Sequence, residues 1–328
     1  MKLLVTTRYS KKCLNELGKV FDDIVHMPPT ELKSRKEDEM CAILKEEAPD
    51  AVIVELDRIT RVVLDENKGL KFIGVCRANP VNVDVAYASK LGIPVLVTPA
   101  RNAQSVAELV IGQLIMFERL MYDAVPWLKN GEWRENPAYP FFHYTGHEIC
   151  GRKVGFVGFG AVARALWNML KSFGCEGAYY DAFINETING CEYAPIENIF
   201  AESDIVSVHL PVNDSTKGMI TGELMALMKP DALFVNSSRA VVADYDALYG
   251  LLRESRIRGA LLDVFPNEPP SNKDYELIKL PNVLATPHIA GAAFEVEEHH
   301  SRIMNAAVLE WLNNRSGRCV FNLKQLNK

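Results

Sequence analysis

The sequence predicts an α/β fold made of two doubly wound parallel-sheet domains. Three observations lead there. Short apolar runs alternate with helix-like segments from the first residues; the alternation breaks near Thr98-Pro99 and resumes at Lys153; and a chain of 328 residues is long enough for more than one hydrophobic core.

The first series of strand-like runs covers residues 3–6, 51–54, 72–75 and 94–97, each bounded by turn residues or by an amphipathic stretch. After the break, Ser105 with Glu108 three positions on reads as a capping box opening a long apolar helix to about Leu120. The second series comprises residues 154–157, 178–180, 205–209, 232–236, 260–264 and 283–286, six strands in alternating order. Beyond Pro287 the chain offers one amphipathic helix, residues 295–312, too little for a domain of its own. That helix is expected to cross back, giving a first domain of residues 1–98 completed by 293–328 and a second of 99–292. No internal repeat or low-complexity tract interrupts the pattern.

Composition narrows the partners. With 48% hydrophobic and 24% charged residues the chain reads as globular, and a net charge of -6 argues against a nucleic-acid partner. No secretory leader and no uncharged window of spanning length stand out, so no membrane association and a cytoplasmic location are expected. Seven cysteines, an odd number without C-x-x-C spacing, suggest reduced structural thiols and no metal site. Cys76 is set apart only because it adjoins a segment assigned below to the substrate.

Gly158-Phe159-Gly160-Ala161-Val162-Ala163 follows an apolar strand and opens a helical run. In that context Gly158 allows a tight turn, Gly160 lets a pyrophosphate approach the backbone, and the small third residue allows close helix packing. Packing turns and methyltransferase loops share such glycines. Asp181, about twenty positions on at the end of the next strand, adds a carboxylate able to accept from both ribose hydroxyls of an adenosine. Asp181 would repel a 2'-phosphate, and Ala182 and Phe183 bring no cation to bind one, so NAD is expected over NADP; a solvated turn aspartate is the plainer alternative.

Three ionisable residues stand at or just beyond the ends of later strands, where open α/β sheets bind ligands. Arg239 offers a planar fork for a carboxylate and its neighbouring carbonyl, unless it is a surface or helix-capping arginine. His288, in Thr286-Pro287-His288, has the side chain best suited to exchanging the proton of an alcohol/ketone pair, although a lone histidine after a strand is often structural. Glu268 could pair with His288 and favour its protonated form.

Taken together, Ser105-Val106-Ala107-Glu108, the glycine loop, Val208-His209-Leu210-Pro211, Asn236 to Arg239, Asp263 to Pro269 and Pro287-His288 resemble the D-isomer-specific 2-hydroxyacid dehydrogenases, in particular phosphoglycerate dehydrogenase-like members, over nearly the whole chain. The resemblance implies a Rossmann-type NAD domain inserted in a flavodoxin-like substrate domain, with the site in the cleft between the two. It implies catalysis by Arg239, Glu268 and His288, with Asp263 on the nicotinamide carboxamide. Gly158, Gly160, Ala161, Val162, Asp181, Leu210, Ser237, Ser238, Asp263 and Gly291 would line the cofactor together with Arg239 and His288. Arg77, Ala78 and Asn79 would meet the substrate with Arg239 and His288. His209 is expected near the adenosine, in a structural role.

Departures from the family pattern remove no catalytic group, and Ala243 stands where an acidic residue is common. Ala240 replaces the usual glycine after the arginine, and residues 77–84 form a shorter loop than the usual glycine-rich one. Glu55 stands near the place where relatives that handle phosphorylated acids often carry a basic residue, although Arg58, Arg61 or Arg77 could restore that charge. Which 2-hydroxy or 2-keto acid is used therefore stays open. Two rival readings remain: a non-catalytic, NAD(H)-responsive corepressor-like protein, and a methyltransferase, which would leave the later arginine, glutamate and histidine unexplained. The resemblance also implies a homodimer, for which the long helix after Ser105 and the segment around Trp127 and Trp133 could supply apolar contacts unless those tryptophans belong to the monomer core.

Overall fold

The computed structural model describes residues 1–30, 33–134 and 136–326. Its first sheet contains β1 (Lys2–Val5), β2 (Asp23–His26), β3 (Ala51–Val54), β4 (Ile73–Val75) and β5 (Val95–Val97), all parallel, in the order β2-β1-β3-β4-β5. This is the flavodoxin-like order, with its switch between β1 and β3. The second sheet contains β6 (Lys153–Val157), β7 (Glu176–Tyr180), β8 (Glu192–Tyr193), β9 (Ile205–Val208), β10 (Leu233–Asn236), β11 (Gly259–Leu262) and β12 (Val283–Ala285). They run parallel in the order β12-β11-β10-β9-β6-β7-β8, the Rossmann order extended by one strand, with its switch between β6 and β9.

The strands read as unbroken apolar runs because both faces of each sheet are covered. In the first sheet Leu3, Val5 and Ile53 pack into one cluster while Leu4, Val52 and Val54 pack into the other. In the second, Phe156, Leu233 and Leu261 face one way and Val157, Phe234 and Leu262 the other. The two compact units are Met1–Asn102 with Ala293–Lys328, and Ala103–Ala292.

The late segment is built into the first unit. Helix Glu295–Asn314 buries Met304, Val308 and Trp311 in that unit's core, and Asn305 accepts from Tyr9 OH at 2.7 Å and donates to Cys13 O at 2.9 Å. Farther on, Asn322 accepts from Val95 N and donates to Ile93 O, while Phe321 N donates to Val95 O. These bonds close the exposed edge of β5.

Two strands and one helix start differ from expectation. β2 and β8 are edge strands; β2 is only partly buried and β8 is two exposed residues, so neither needs the apolar run that marks a central strand. Ser105 does not cap the long helix, which spans Ala103–Glu118 and places Ser105 inside its first turn. Glu108 accepts from Gln104 Nε2 at 2.8 Å, a side-chain pair one turn apart that replaces the anticipated capping box. The helix is locked to the sheet by buried Glu118, which takes Arg258 Nη1 at 2.8 Å and Arg258 Nη2 as a second contact.

Candidate active site

At the end of β6, Gly158 has φ +85, and a β-carbon there would come within 2.8 Å of His209 O. Its glycine is demanded by the protein's own packing. Gly160 is different: it caps helix Ala161–Ser172, has φ -77, and a β-carbon on it would meet no protein atom within 4 Å. The missing side chain leaves room in front of a helix N-terminus, with Ala161 exposed and Val162 partly buried beside it. Asp181 holds this loop: Oδ2 accepts from Phe159 N and Oδ1 from Phe183 N, both at 2.9 Å. Each carboxylate oxygen retains a lone pair for a further donor.

His209 and Leu210 follow β9. Ser207 Oγ lies 2.8 Å from His209 Nε2, and burial pushes that imidazole down to about 4, so it is neutral and packs beside Phe156. Leu210 is buried.

The β10 end is built on Asn236, which is 0% exposed. Its Oδ1 accepts from Ser238 N and Oγ, and its Nδ2 donates to Arg239 O at 3.1 Å and Tyr245 OH at 3.2 Å. Tyr245 OH donates onward to Val264 O; burial raises its phenol well above the ordinary value, keeping the proton in place. The backbone of the Ser237-Ser238-Arg239 turn is thus fixed, while the Arg239 side chain is exposed and gives one N–H to Ser238 O. Ser237 Oγ is buried and makes no hydrogen bond. An orphaned hydroxyl at the carboxyl end of β10 and the empty space at Gly160 both fit a dinucleotide lying across this edge of the sheet.

His288 sits in a tight turn after β12, with φ +54 and its N–H donating to Thr286 O at 3.0 Å. Its Nδ1 lies 2.7 Å from Glu268 Oε2, and the two side chains are 41% and 40% exposed. Asp263, 1% exposed, points inward: Oδ1 accepts from Thr286 Oγ1 at 2.6 Å and Ile289 N at 2.9 Å, and Oδ2 from Ala290 N at 2.8 Å. The structure therefore turns Asp263 to the histidine turn, leaving only residual acceptor capacity for the carboxamide contact implied by the family resemblance. Gly291 closes the turn and is partly buried.

Arg77, Ala78 and Asn79 belong to the first unit, just past β4; Arg77 is partly buried and the other two are exposed. Neighbouring Cys76 is wholly buried, and burial drives its thiol far up, as for a structural cysteine. Glu55 is committed to Arg101 at 2.7 Å and Thr7 at 3.1 Å, and Arg61 turns to Asp65 and the Tyr87 ring. Arg101 also meets His300 Nδ1 at 3.0 Å.

Sequence reasoning missed the supports. Asn236, Tyr245, Thr286 and Gln113, whose Nε2 donates to Thr286 Oγ1 at 3.0 Å, hold the loops that carry Arg239 and His288. Gln113 and Thr286 are 173 residues apart, a separation no local pattern reports. Among the described residues, no helix is long and apolar enough to cross a membrane, and no group of three His, Cys, Asp or Glu could hold a metal.

Comparison with known proteins adds a family. The profile of the D-isomer specific 2-hydroxyacid dehydrogenase, NAD binding domain, matches residues 111–290. YoaD of Bacillus subtilis, named as a 2-hydroxyacid dehydrogenase, is 45% identical over 317 residues, covering 96% of this chain and 92% of its own. A glyoxylate reductase of Thermococcus litoralis is 35% identical over 252 residues, covering 75% of each. The crystal structure of a Polaromonas protein described as a D-isomer specific 2-hydroxyacid dehydrogenase aligns with a TM-score of 0.78 at 26% identity, covering 96% of this chain and 97% of that one.

Proposed function

The chain belongs to the D-isomer-specific 2-hydroxyacid dehydrogenases, NAD-dependent oxidoreductases of CH–OH groups, and from that premise we propose that it interconverts a small 2-hydroxy acid and its 2-keto partner through Arg239, Glu268 and His288. The single observation that carries this assignment of roles is the 2.7 Å pair between His288 Nδ1 and Glu268 Oε2, which follow β12 and β11, in a sheet whose next strand, β10, ends at exposed Arg239.

NAD, when bound, accepts or supplies the hydride. Gly158, Gly160, Ala161 and Val162 would hold its pyrophosphate, Asp181 its adenosine ribose, and Leu210, Ser237, Ser238, Asp263 and Gly291 the remainder. With Nδ1 engaged by Glu268, His288 presents Nε2 to the substrate oxygen. In the reducing direction Nε2 gives its proton to that oxygen; in the oxidising direction neutral Nε2 removes it. Arg239 binds the carboxylate with its planar fork and stabilises charge developing on the adjacent oxygen. Arg77, Ala78 and Asn79 would meet the rest of the substrate, which makes the first unit the substrate-binding domain. Asp181, with exposed Ala182 and Phe183 after it, favours NAD over NADP.

The test is oxidation of NADH and NADPH against glyoxylate, hydroxypyruvate, pyruvate, branched 2-keto acids and 3-phosphohydroxypyruvate, repeated with His288→Ala. The expected result is NADH-linked turnover of at least one acid, falling by roughly 10²–10⁴-fold in the variant while NADH still binds. Undiminished turnover in His288→Ala would overturn the assignment of the proton to His288.

A homodimer and a cytoplasmic location are part of the same proposal, with support from other features. Helices Met121–Lys129 and Tyr139–His143 bury no residue, and Phe141 and Phe142 are 78% and 73% exposed. Trp133 is half exposed, so it is not core. This apolar surface supports a homodimer through the second unit, which Phe141→Glu with Phe142→Glu should convert to monomer in sedimentation. Seven free thiols support a reducing, cytoplasmic setting.

A further inference from the structure

We infer that Gln113 is a positioning residue for His288, acting through a buried relay of Thr286 and Asp263. The inference rests on the proton-exchange role given to His288 above, and extends it to a helix that bears none of the proposed reacting groups.

The starting point is the backbone of the histidine. A residue with a β-carbon at φ +54 is held in a sparsely populated region, and such a conformation persists only where its surroundings fix it. Here a single buried carboxylate does so from both sides. Asp263 Oδ1 accepts from Thr286 Oγ1, two residues before the histidine, and from Ile289 N, one after it; Oδ2 accepts from Ala290 N. From that backbone the imidazole reaches Glu268, with Nδ1 2.7 Å from Oε2.

Thr286 has one hydroxyl hydrogen, and it must point at Asp263 for the clamp to close. Gln113 Nε2 donates to Thr286 Oγ1 at 3.0 Å, which occupies an acceptor site of the hydroxyl and leaves its hydrogen for the carboxylate at 2.6 Å. Gln113 is 5% exposed, on a helix face whose other buried members include Val106, Val110, Leu114 and Phe117. An amide among those side chains costs free energy unless it is hydrogen-bonded. What the amide adds at this position is the bond to Thr286.

The test uses Gln113→Leu, Thr286→Val and their combination in the full chain, with Thr286→Ser retaining the hydroxyl and serving as the second line should the leucine variant fold poorly. Three quantities are read: kcat and KM for an accepted 2-keto acid, the affinity for NADH, and the imidazole resonances of histidine-labelled protein without substrate, with His288 assigned from His288→Ala. Gln113→Leu is expected to lower kcat by roughly 10-fold, with KM and NADH affinity little changed, since small misplacements of a reacting group act on the chemical step. The His288 resonances should move while those of the other histidines stay. Thr286→Val should reproduce both effects, the double variant should add little to either, and Thr286→Ser should behave as wild type.

A fall in thermal stability with kcat and the His288 resonances unchanged would overturn the inference, leaving Gln113 as a packing residue. Additive losses in the double variant would overturn the relay. Displaced His288 resonances in a protein whose wild type turns over no acid would support the relay and count instead against the proposed function.

Discussion

The rims at the carboxyl ends of the two sheets are built on opposite plans. In the first unit the charged groups engage one another: Asp57 takes Thr6 Oγ1 and both the backbone and guanidinium of Arg35, while Glu55 takes Thr7 and Arg101, and Arg101 meets His300. In the second unit the buried polar residues engage the loops. Asn236 holds the turn of Arg239 and Asp263 holds the turn of His288, while the side chains of Arg239, Glu268 and His288 reach the surface. Paired carboxylates and cations such as these build a scaffold beside the segment of Arg77, Ala78 and Asn79 proposed to meet substrate; buried groups that bind backbone leave the side chains proposed to react free to meet a ligand.

Four tests would break or sharpen that contrast. The largest effect is expected from Arg239→Lys, which keeps the charge and loses the fork. kcat/KM should fall roughly 10²-fold or more, comparable to loss of one oxyanion donor, with no change in melting temperature because the side chain is exposed. Steady-state kinetics beside a thermal melt decide it; a fully active lysine variant would show that charge alone suffices.

Next comes the pH dependence of stability. His209 has a folded pKa of about 4 against an ordinary 6.5, so the unfolded chain takes up its proton first as pH falls. Stability should therefore decline from about pH 6.5 down to about pH 4, by up to about 3 kcal/mol, and level off below. His209→Gln should flatten the slope of melting temperature over that window. Burial also pushes the His300 imidazole on the first unit's rim below its ordinary value, and His300→Gln serves as the matched comparison.

The two glycines should then separate folding from binding. Gly158→Ala must place a β-carbon 2.8 Å from a carbonyl oxygen at positive φ, and should cost about 2 kcal/mol of stability. Gly160→Ala meets no protein atom, so its melting temperature should stay while NADH affinity, read by fluorescence titration, weakens. Equal stability losses in the two variants would contradict the cofactor reading of Gly160. The smallest effect is expected from Glu55→Gln, which leaves partly buried Arg101 without its carboxylate: about 1 kcal/mol by denaturant titration.

How much of this was legible in the sequence follows the same division. The central strands were readable because burial on both faces forces continuous apolar runs, and the glycine loop because it couples residue type to backbone geometry. Arg239, Glu268 and His288 were legible as ionisable residues past the ends of β10, β11 and β12, their roles being those proposed above. The bonds of Gln113 to Thr286 and Arg101 to His300 were not, because they join residues 173 and 199 positions apart and an isolated Gln or Arg carries no periodic signal. Nor could Asp263 be oriented in advance: a carboxylate at a strand end reads alike whether it faces a ligand or its own chain.

The return of helix Glu295–Asn314 to the first unit has a bearing on biosynthesis. A ribosome delivers β1 to β5 early, yet Trp311, Asn305 and Asn322, which fill and edge that sheet, emerge only after all of Ala103–Ala292. At about 5–20 residues per second the delay is roughly 10–40 s, during which the second unit can complete its fold while the first waits with an open core. The unit translated first is thus the last to be finished, and the nascent chain depends during that interval on whatever shields unpaired sheet edges in the cell.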